Sequence, residues 1–231
     1  LTAQALGVEL LIHYGHSCLI PVDQMCGLKV LYIFVDIKID PLHFIETVKL
    51  NFKTTSKIGL VSTIQFVTTL QAVAKVLRES GFDVSVPQFK PLSPGEILGC
   101  TAPFLRCSDT VIYLGDGRFH LEAAMIANPN IKAFKYDPYS KKFTKEDYNH
   151  NQMETIRRKC IADAKTCSKF GVIMGTLGRQ GNPKVVEYLQ ERLQKQGKAT
   201  VVILLSEIFP KKIDLFSNLE AFVQVACPRL S

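Results

Sequence analysis

Apolar residues in this chain fall into two alternating patterns. Short continuous runs such as Val30 to Ile37, Lys57 to Thr63 and Val201 to Leu205 are almost wholly apolar, as expected of parallel strands buried on both faces. Between such runs, apolar positions recur every three or four residues. Phe66, Leu70, Val73 and Leu77 form one set, and Val186, Leu189 and Leu193 another. That is the spacing of a helix with one buried face.

Taken in order, the pattern predicts a strand from Val8 that breaks at Gly15, a strand over Val30 to Ile37, and a short helix over Pro41 to Leu50. Asp40 stands as N-cap of that helix, with Pro41 in the first helical position. A strand over Lys57 to Thr63, a helix stopped by Gly81 and a strand over Phe82 to Val86 follow. Next come a strand over Thr110 to Leu114, a brief helix over Leu121 to Ala127 and a short strand over Ala133 to Tyr136. Thr144 and Asp147 resemble a capping box that opens a long helix to about Lys169. Cys160 and Cys167 share that helix's apolar face with Met153, Ile156 and Ala164, which predicts core positions for both thiols. A strand over Gly171 to Gly175, a helix capped by Asn182-Pro183 and ended by Gly197, and strands at Val201 to Leu205 and Ala221 to Gln224 complete the series.

Strands that alternate with helices imply parallel sheets joined by right-handed crossovers. The pattern also repeats. Lys57-Ile58-Gly59-Leu60-Val61 matches Lys169-Phe170-Gly171-Val172-Ile173 at an offset of 112 residues. Gly81 matches Gly197 at 116, and Thr110-Val111-Ile112-Tyr113 matches Ala221-Phe222-Val223-Gln224 at 111. Leu11 to Gly15 matches Val111 to Gly115 one period earlier. The expected architecture is therefore α/β, with three related units of parallel sheet and crossover helix around a shared centre. The first and third are incomplete in this excerpt of a longer protein. Expected boundaries are residues 1–50, 51–142 and 143–231, the last including a linking helix. Strand-end loops at a shared centre are where ligands bind in such folds.

Composition narrows the chemistry. A hydrophobic content of 47% with 21% charged residues describes a globular chain, and no apolar run has the length of a membrane helix. No secretory leader pattern opens it. Seven scattered cysteines, an odd number without a CxxC pair, favour a reducing, cytoplasmic setting over a disulfide scaffold or a local zinc knuckle. The formal charge of +7 is uneven: from Lys132 to Lys169 there are ten Lys or Arg and five Asp or Glu. Such a stretch is a solvated face or a docking surface for an acidic or RNA-associated partner. No motif of basic and aromatic residues for direct nucleic-acid binding is present, nor a Ser-His-Asp order or paired carboxylates for hydrolysis.

Two single cysteines stand in strand-end loops. Cys100 lies in the proline- and glycine-rich stretch Pro91 to Pro103, and Cys227 follows the last strand in Val225-Ala226-Cys227-Pro228-Arg229. They read either as ligands brought to one point by folding or as unrelated buried thiols. Gly175-Thr176-Leu177-Gly178-Arg179-Gln180-Gly181 is a glycine-rich turn from strand to helix, suited to holding an anionic group on backbone N–H groups. It does not spell GxGxxG, so a dinucleotide site is not indicated. Gly175, Gly178 and Gly181 would let a ligand approach, with Arg179 and Gln180 as polar contacts. The alternative is a plain tight turn. His13, His16 and His120 read as structural more readily than as catalytic residues.

Tyr14 to Cys18, Val61 to Gln65, Pro91 to Pro103, Tyr113 to His120, Tyr136 to Ser140, Gly175 to Gly181 and Val225 to Arg229, in this order, resemble the diphthamide-biosynthesis subunit 1/subunit 2 family. The resemblance spans the chain and is nearest to the eukaryotic subunit 1 branch. It implies three related domains that each give one cysteine to a [4Fe-4S] cluster. Cys100 would be the second-domain ligand and Cys227 the third, and the first-domain cysteine falls before Leu1. Cys18 is not at that motif. The implied activity is a transferase that cleaves S-adenosylmethionine reductively and modifies a histidine of elongation factor 2 in the first step of diphthamide synthesis. A related second subunit in a heterodimer and an electron-donor protein are the implied partners, with no membrane and no direct nucleic acid. Two rival readings are a non-catalytic partner subunit and an iron–sulfur dehydratase resembling quinolinate synthase.

Overall fold

The computed structural model describes residues 3, 6–15, 28–90, 92–99, 101–176 and 181–227. The chain divides into two compact units, the first running to Tyr148 and the second beginning at Asn149.

In the first unit, β1 (Leu10–Gly15) and β2 (Lys29–Phe34) pair in parallel, Leu10 against Lys29. The run Val30 to Ile37 led us to expect a strand buried on both faces. Instead Leu31, Phe34 and Val35 are exposed, and β2 pairs with β1 alone among the described residues. Helix α1 (Leu42–Asn51) starts one residue later than expected, and Asp40 Oδ1 accepts from Leu42 N at 3.0 Å.

The centre of this unit is a five-stranded sheet in the order β4-β3-β5-β6-β7. Its strands are β3 (Lys57–Ser62), β4 (Asp83–Ser85), β5 (Thr110–Leu114), β6 (Lys132–Asp137) and β7 (Lys142–Glu146). β3 and β5 are buried almost throughout, which accounts for their unbroken apolar runs. Helix α2 (Val67–Glu79), entered through a 3-10 turn at Ile64–Phe66, turns Leu70, Val73, Ala74 and Leu77 onto one face of the sheet. Phe44, Ile45 and Val48 of α1 join it there. Helix α3 (Phe119–Ala127) covers the other face with Leu121, Ala124 and Met125.

Gly81 takes φ +87°, and the Phe82 and Gly81 N–H groups donate back to Leu77 and Arg78, closing α2 as expected. β7 was not expected. It runs antiparallel to β6 and forms the sheet's edge, where Lys142 and Lys145 discourage further pairing. Thr144 therefore lies in a strand, where a capping residue was expected. Helix α4 (His150–Ala164) opens instead at Asn149, whose side chain accepts from Gln152 N at 3.0 Å.

The second unit, besides α4, holds a three-stranded parallel sheet in the order β10-β8-β9. Its strands are β8 (Lys169–Gly175), β9 (Ala199–Leu205) and β10 (Ala221–Val225). Helix α5 (Pro183–Lys195) links β8 to β9 and ends before Gly197 at φ +72°. A short helix α6 (Pro210–Ile213) precedes β10.

The register makes the internal repeat concrete. β3 pairs with β4 at Lys57↔Asp83 and with β5 at Ile58↔Thr110. β8 pairs with β9 at Lys169↔Ala199 and with β10 at Phe170↔Ala221. Each partner in the second set is displaced from the first by the same 112, 116 and 111 residues that the sequence match showed. Both units thus wind strand, helix, neighbour on one side, neighbour on the other.

Candidate functional site

In the first unit β3 and β5 lie side by side, yet their onward connections leave on opposite faces. α2 follows β3 on one face, and α3 follows β5 on the other. The divergence marks a topological switch point at the carboxyl ends of the two strands, the usual binding position in an open α/β sheet. In the second unit β8 and β10 form the corresponding pair, followed by the Gly175–Gly181 turn and by Cys227.

Cys227 is buried as a thiol, 1% exposed, two residues beyond the Val225↔Met174 pairing. It therefore shares a strand-end rim with Gly175. The Gln224 amide donates to its carbonyl at 3.5 Å. Gly181 returns against the same rim: a Cβ there would lie 2.3 Å from the Gly175 carbonyl oxygen and 2.6 Å from Met174 Cγ. The glycine at 181 is thus required by close backbone approach. Gly178, Arg179 and Gln180 lie outside the described residues, as do Cys100, Cys18 and His16.

The loop that carries Cys100 is seated on the end of β3. Ser62 N donates to Gly95 O at 2.8 Å and Ile97 N to Ser62 O at 2.9 Å, a short parallel bridge of Ser62 with Glu96. Gly95 has φ +84°, and a Cβ there would meet Leu70 Cδ2 at 2.4 Å. Ile97 and Leu98 are buried, and Leu98 and Thr101 exchange backbone hydrogen bonds of 2.9 and 3.2 Å. Gly99 lies against Phe119, with 1.9 Å from an ideal Cβ to the ring. The repeat also shows that the two cysteines are not equivalent. Cys100 precedes β5, whereas Cys227 stands after β10 at the level that Asp116 occupies after β5.

Three side chains at the end of β3 were missed as site candidates. The buried side-chain oxygens of Ser62 and Gln65 have no hydrogen-bond partner among the described residues, and the buried Thr63 hydroxyl faces the Tyr113 phenol. A Ser-Thr pair that closes a wholly apolar strand was the available signal. On the neighbouring strand β5, the Tyr113 hydroxyl donates to Asp116 O at 3.4 Å. Burial, and secondarily the Asp116 carboxylate, push the Tyr113 phenol well above its ordinary range, offset in part by the nearby Thr63 hydroxyl. Tyr113 is therefore a neutral hydrogen-bonding group across the physiological range. His120 stacks edge-on against Phe119 at 5.2 Å in the first turn of α3, and His13 against Tyr32 at 5.5 Å. Among the described residues no group of three metal-ligating side chains comes together.

The family model described as a putative diphthamide synthesis protein matches residues 1–231. The chain belongs to this family. It is 57% identical over 230 residues to the 2-(3-amino-3-carboxypropyl)histidine synthase subunit 1 of Nematostella vectensis, covering 100% of this chain and 49% of the relative. To the human protein of the same name it is 55% identical over 232 residues, covering 100% and 53%. The chain thus spans about half the length of these curated relatives. Its fold matches Dph2 from Pyrococcus horikoshii with a 4Fe-4S cluster at a TM-score of 0.74 and 28% identity, over 99% of this chain and 67% of that one.

Among the described residues the remaining thiols sort by exposure. Cys107 and Cys160 are exposed and Cys167 is half-buried. This corrects the expected core role of Cys160 and Cys167. α4 buries no residue, with Ile156 and Ile161 more than half exposed, so its apolar spacing marks no packed face among the described residues. Cys167 instead bonds weakly to the Asp163 and Glu220 carbonyls. No described helix is long and apolar enough to cross a membrane.

Proposed function

We propose that the protein to which this chain belongs is a 3-amino-3-carboxypropyl transferase subunit acting in the first step of diphthamide synthesis. Its substrates are S-adenosylmethionine and a histidine of elongation factor 2. The observation that carries this reading is Cys227: a buried thiol at the strand-end rim of a switch-point pair, near Gly181, where a side chain would meet the Gly175 backbone. A thiolate donor in a desolvated strand-end loop suits an iron–sulfur cluster. Cys227 and Cys100 would hold a [4Fe-4S] group together with a cysteine upstream of Leu1, and the bound group would supply the electron for reductive cleavage of the sulfonium.

The chain's own residues position and enclose. Gly175 and Gly181, with Gly178, Arg179 and Gln180, would face the nucleoside or carboxylate of S-adenosylmethionine, leaving backbone N–H groups accessible. The apolar rim of Ile97, Leu98 and Phe119 would exclude water beside Cys100. The boundaries at residues 50 and 142 and the gathering of three units around one centre belong to the same reading. A related subunit, an electron-donor protein and a cytoplasmic setting complete it.

The test is anaerobic reconstitution of the full-length protein with its partner subunit. Cys100→Ala and Cys227→Ala should each lower bound iron and sulfide and abolish release of the carbon fragment from S-adenosylmethionine, with the complex intact. Full iron content and turnover in either variant would place the working cluster elsewhere and make this chain a scaffold.

A further inference from the structure

The sheets of the two units end differently. In the five-stranded sheet, β4 spans three residues, opens on Asp83 and is followed by Pro87, and β7 carries Lys142 and Lys145. Short length, charge and proline are what keep an edge strand from pairing further. In the three-stranded sheet β9 stands at the place of β4, which ends its sheet. β10 stands at the place of β5, whose outer side is taken by the next strand in sequence, β6. The edge at β9 has none of the guards seen at β4 and β7. It runs for seven residues, and from Thr200 to Leu205 it holds neither charge nor proline. Val201 is 52% exposed, Val202 38% and Leu204 60%.

The backbone pattern fixes what this edge offers. β9 pairs with β8 alone among the described residues. Ala199 N donates to Ser168 O at 2.8 Å, and Leu205 O accepts from Thr176 N at 2.9 Å. Alternate residues of a parallel strand turn both backbone groups to one side, so Ala199, Val201, Ile203 and Leu205 face β8. Thr200, Val202 and Leu204 then present their N–H and C=O groups to the open side. Thr200 accepts from Gln194 of α5 at 3.1 Å, which places Val202 and Leu204 on the α5 face of the sheet and Val201 on the other. A regular row of donors and acceptors, flanked by exposed apolar side chains on both faces, is complemented by an extended strand with uncharged central residues.

We propose that β9 is the edge by which this subunit joins a partner of its own fold, running antiparallel to the equivalent edge strand of the related subunit so that one sheet continues across the interface. This rests on the related second subunit of the functional reading and names where it binds. A partner with the same winding carries an edge at the same place. About a two-fold axis equivalent edges meet antiparallel, and the contact closes after two chains. With Val202 at the axis, Thr200, Val202 and Leu204 each exchange both backbone bonds with the strand opposite. That pairing covers both unguarded edges in one step.

The experiment is residue-resolved amide hydrogen exchange of the full-length subunit, alone and assembled with the related subunit. Alone, exchange along β9 should alternate: slow at Val201, Ile203 and Leu205, fast at Thr200, Val202 and Leu204. In the complex the fast set should slow at least ten-fold. Leu204→Lys should weaken assembly about thirty-fold, the scale of an interface hot spot. Leu215→Lys, an exposed leucine outside the strands, should leave it unchanged. Slow exchange retained at Val201 and Ile203 shows that the Leu204→Lys protein is folded, and where it is lost the wild-type exchange pattern decides. A complex in which Thr200, Val202 and Leu204 still exchange fast overturns the proposal and leaves the heterodimer reading standing. Equal weakening by both lysine variants overturns it too. Slow exchange of the fast set in the isolated monomer means that the chain's own segments cover β9, and in a self-associated subunit that a second copy does; either result overturns the proposal. If the two subunits do not associate, the heterodimer reading itself fails and the proposal with it.

Discussion

Gly99 decides how closely its loop approaches the Phe119 ring. Gly99 stands where any side chain would enter the Phe119 ring, so Gly99→Ala should cost about 1–3 kcal/mol by overpacking. Phe119→Leu should recover part of that loss in the double variant. Strict additivity in urea denaturation would show that the two residues do not press on one another. Asp137 provides a pH-dependent case. Its burial raises the carboxyl pKa, but hydrogen bonds from Ser140 and Tyr139 N–H, with Lys135 nearby, outweigh that and hold it below the ordinary value. A depressed folded-state pKa contributes stability above the unfolded value, roughly 3.9, and loses it as pH falls through the folded one. Asp137→Ala should therefore be less stable than wild type at neutral pH, by under about 1 kcal/mol because the group is largely solvated. The gap should close in acid. A constant gap from neutral pH to the acid limb would mean that the turn, and not the charge, carries the effect.

Among the elements, the antiparallel strand β7 is held by aromatic packing and by one arginine. Phe143 stacks on Phe134 at 5.3 Å and meets Phe52 edge-on at 6.1 Å. Arg118 reaches Glu122 Oε1 and Glu146 Oε2 at 2.9 Å each and the Asp147 carbonyl at 2.8 Å, so its fork ties the start of α3 to the end of β7. A planar fork makes these contacts together, and an ammonium cannot. Arg118→Lys is expected to lose about 1–2 kcal/mol although charge is kept, since both carboxylates are mostly shielded. Lys75→Ala, which removes an exposed pair with Glu79, should stay within about 0.5 kcal/mol. Equal effects of the two substitutions on the urea midpoint would deny Arg118 its role as a tie.

For the molecule as a whole, the densest core lies around β3 and β5, where Leu60, Val61, Ile112 and Leu114 are fully enclosed. Leu60→Ala should cost about 2–5 kcal/mol through the cavity it leaves. Cys160→Ala on the exposed α4 should stay within about 0.5 kcal/mol and retain iron in the reconstituted full-length protein. Loss of iron in a folded Cys160→Ala protein would show that the thiols are sorted wrongly. The two repeats share strand order and register while their cysteine-bearing loops differ, one cysteine before its strand and one after. A conserved winding can therefore present different loops to a site without altering the sheet.

Read alone, the sequence determined the α/β class, the repeat with its three offsets, the caps at Gly81, Asn182 and Gly197, and the family. These follow from period, turn chemistry and motif, each encoded within a few neighbouring residues. Tertiary structure decided what depends on neighbours distant in the chain. Lys142 to Glu146 has no strong strand signal and becomes β7 because β6 offers an edge and Phe52 and Phe134 offer a surface. Cys160 and Cys167 sit at helical spacing that looks like a core face, yet exposure depends on whether another element covers it. Gly99 and Gly181 read as turn residues, whereas the contacts that require them come from Phe119 and from Gly175. The hydroxyls of Ser62 and Thr63 appear in the sequence as ordinary polar residues after a strand. Only the fold shows them buried, the Thr63 hydroxyl against the Tyr113 phenol, because burial and hydrogen-bond partnership are properties of the packed molecule.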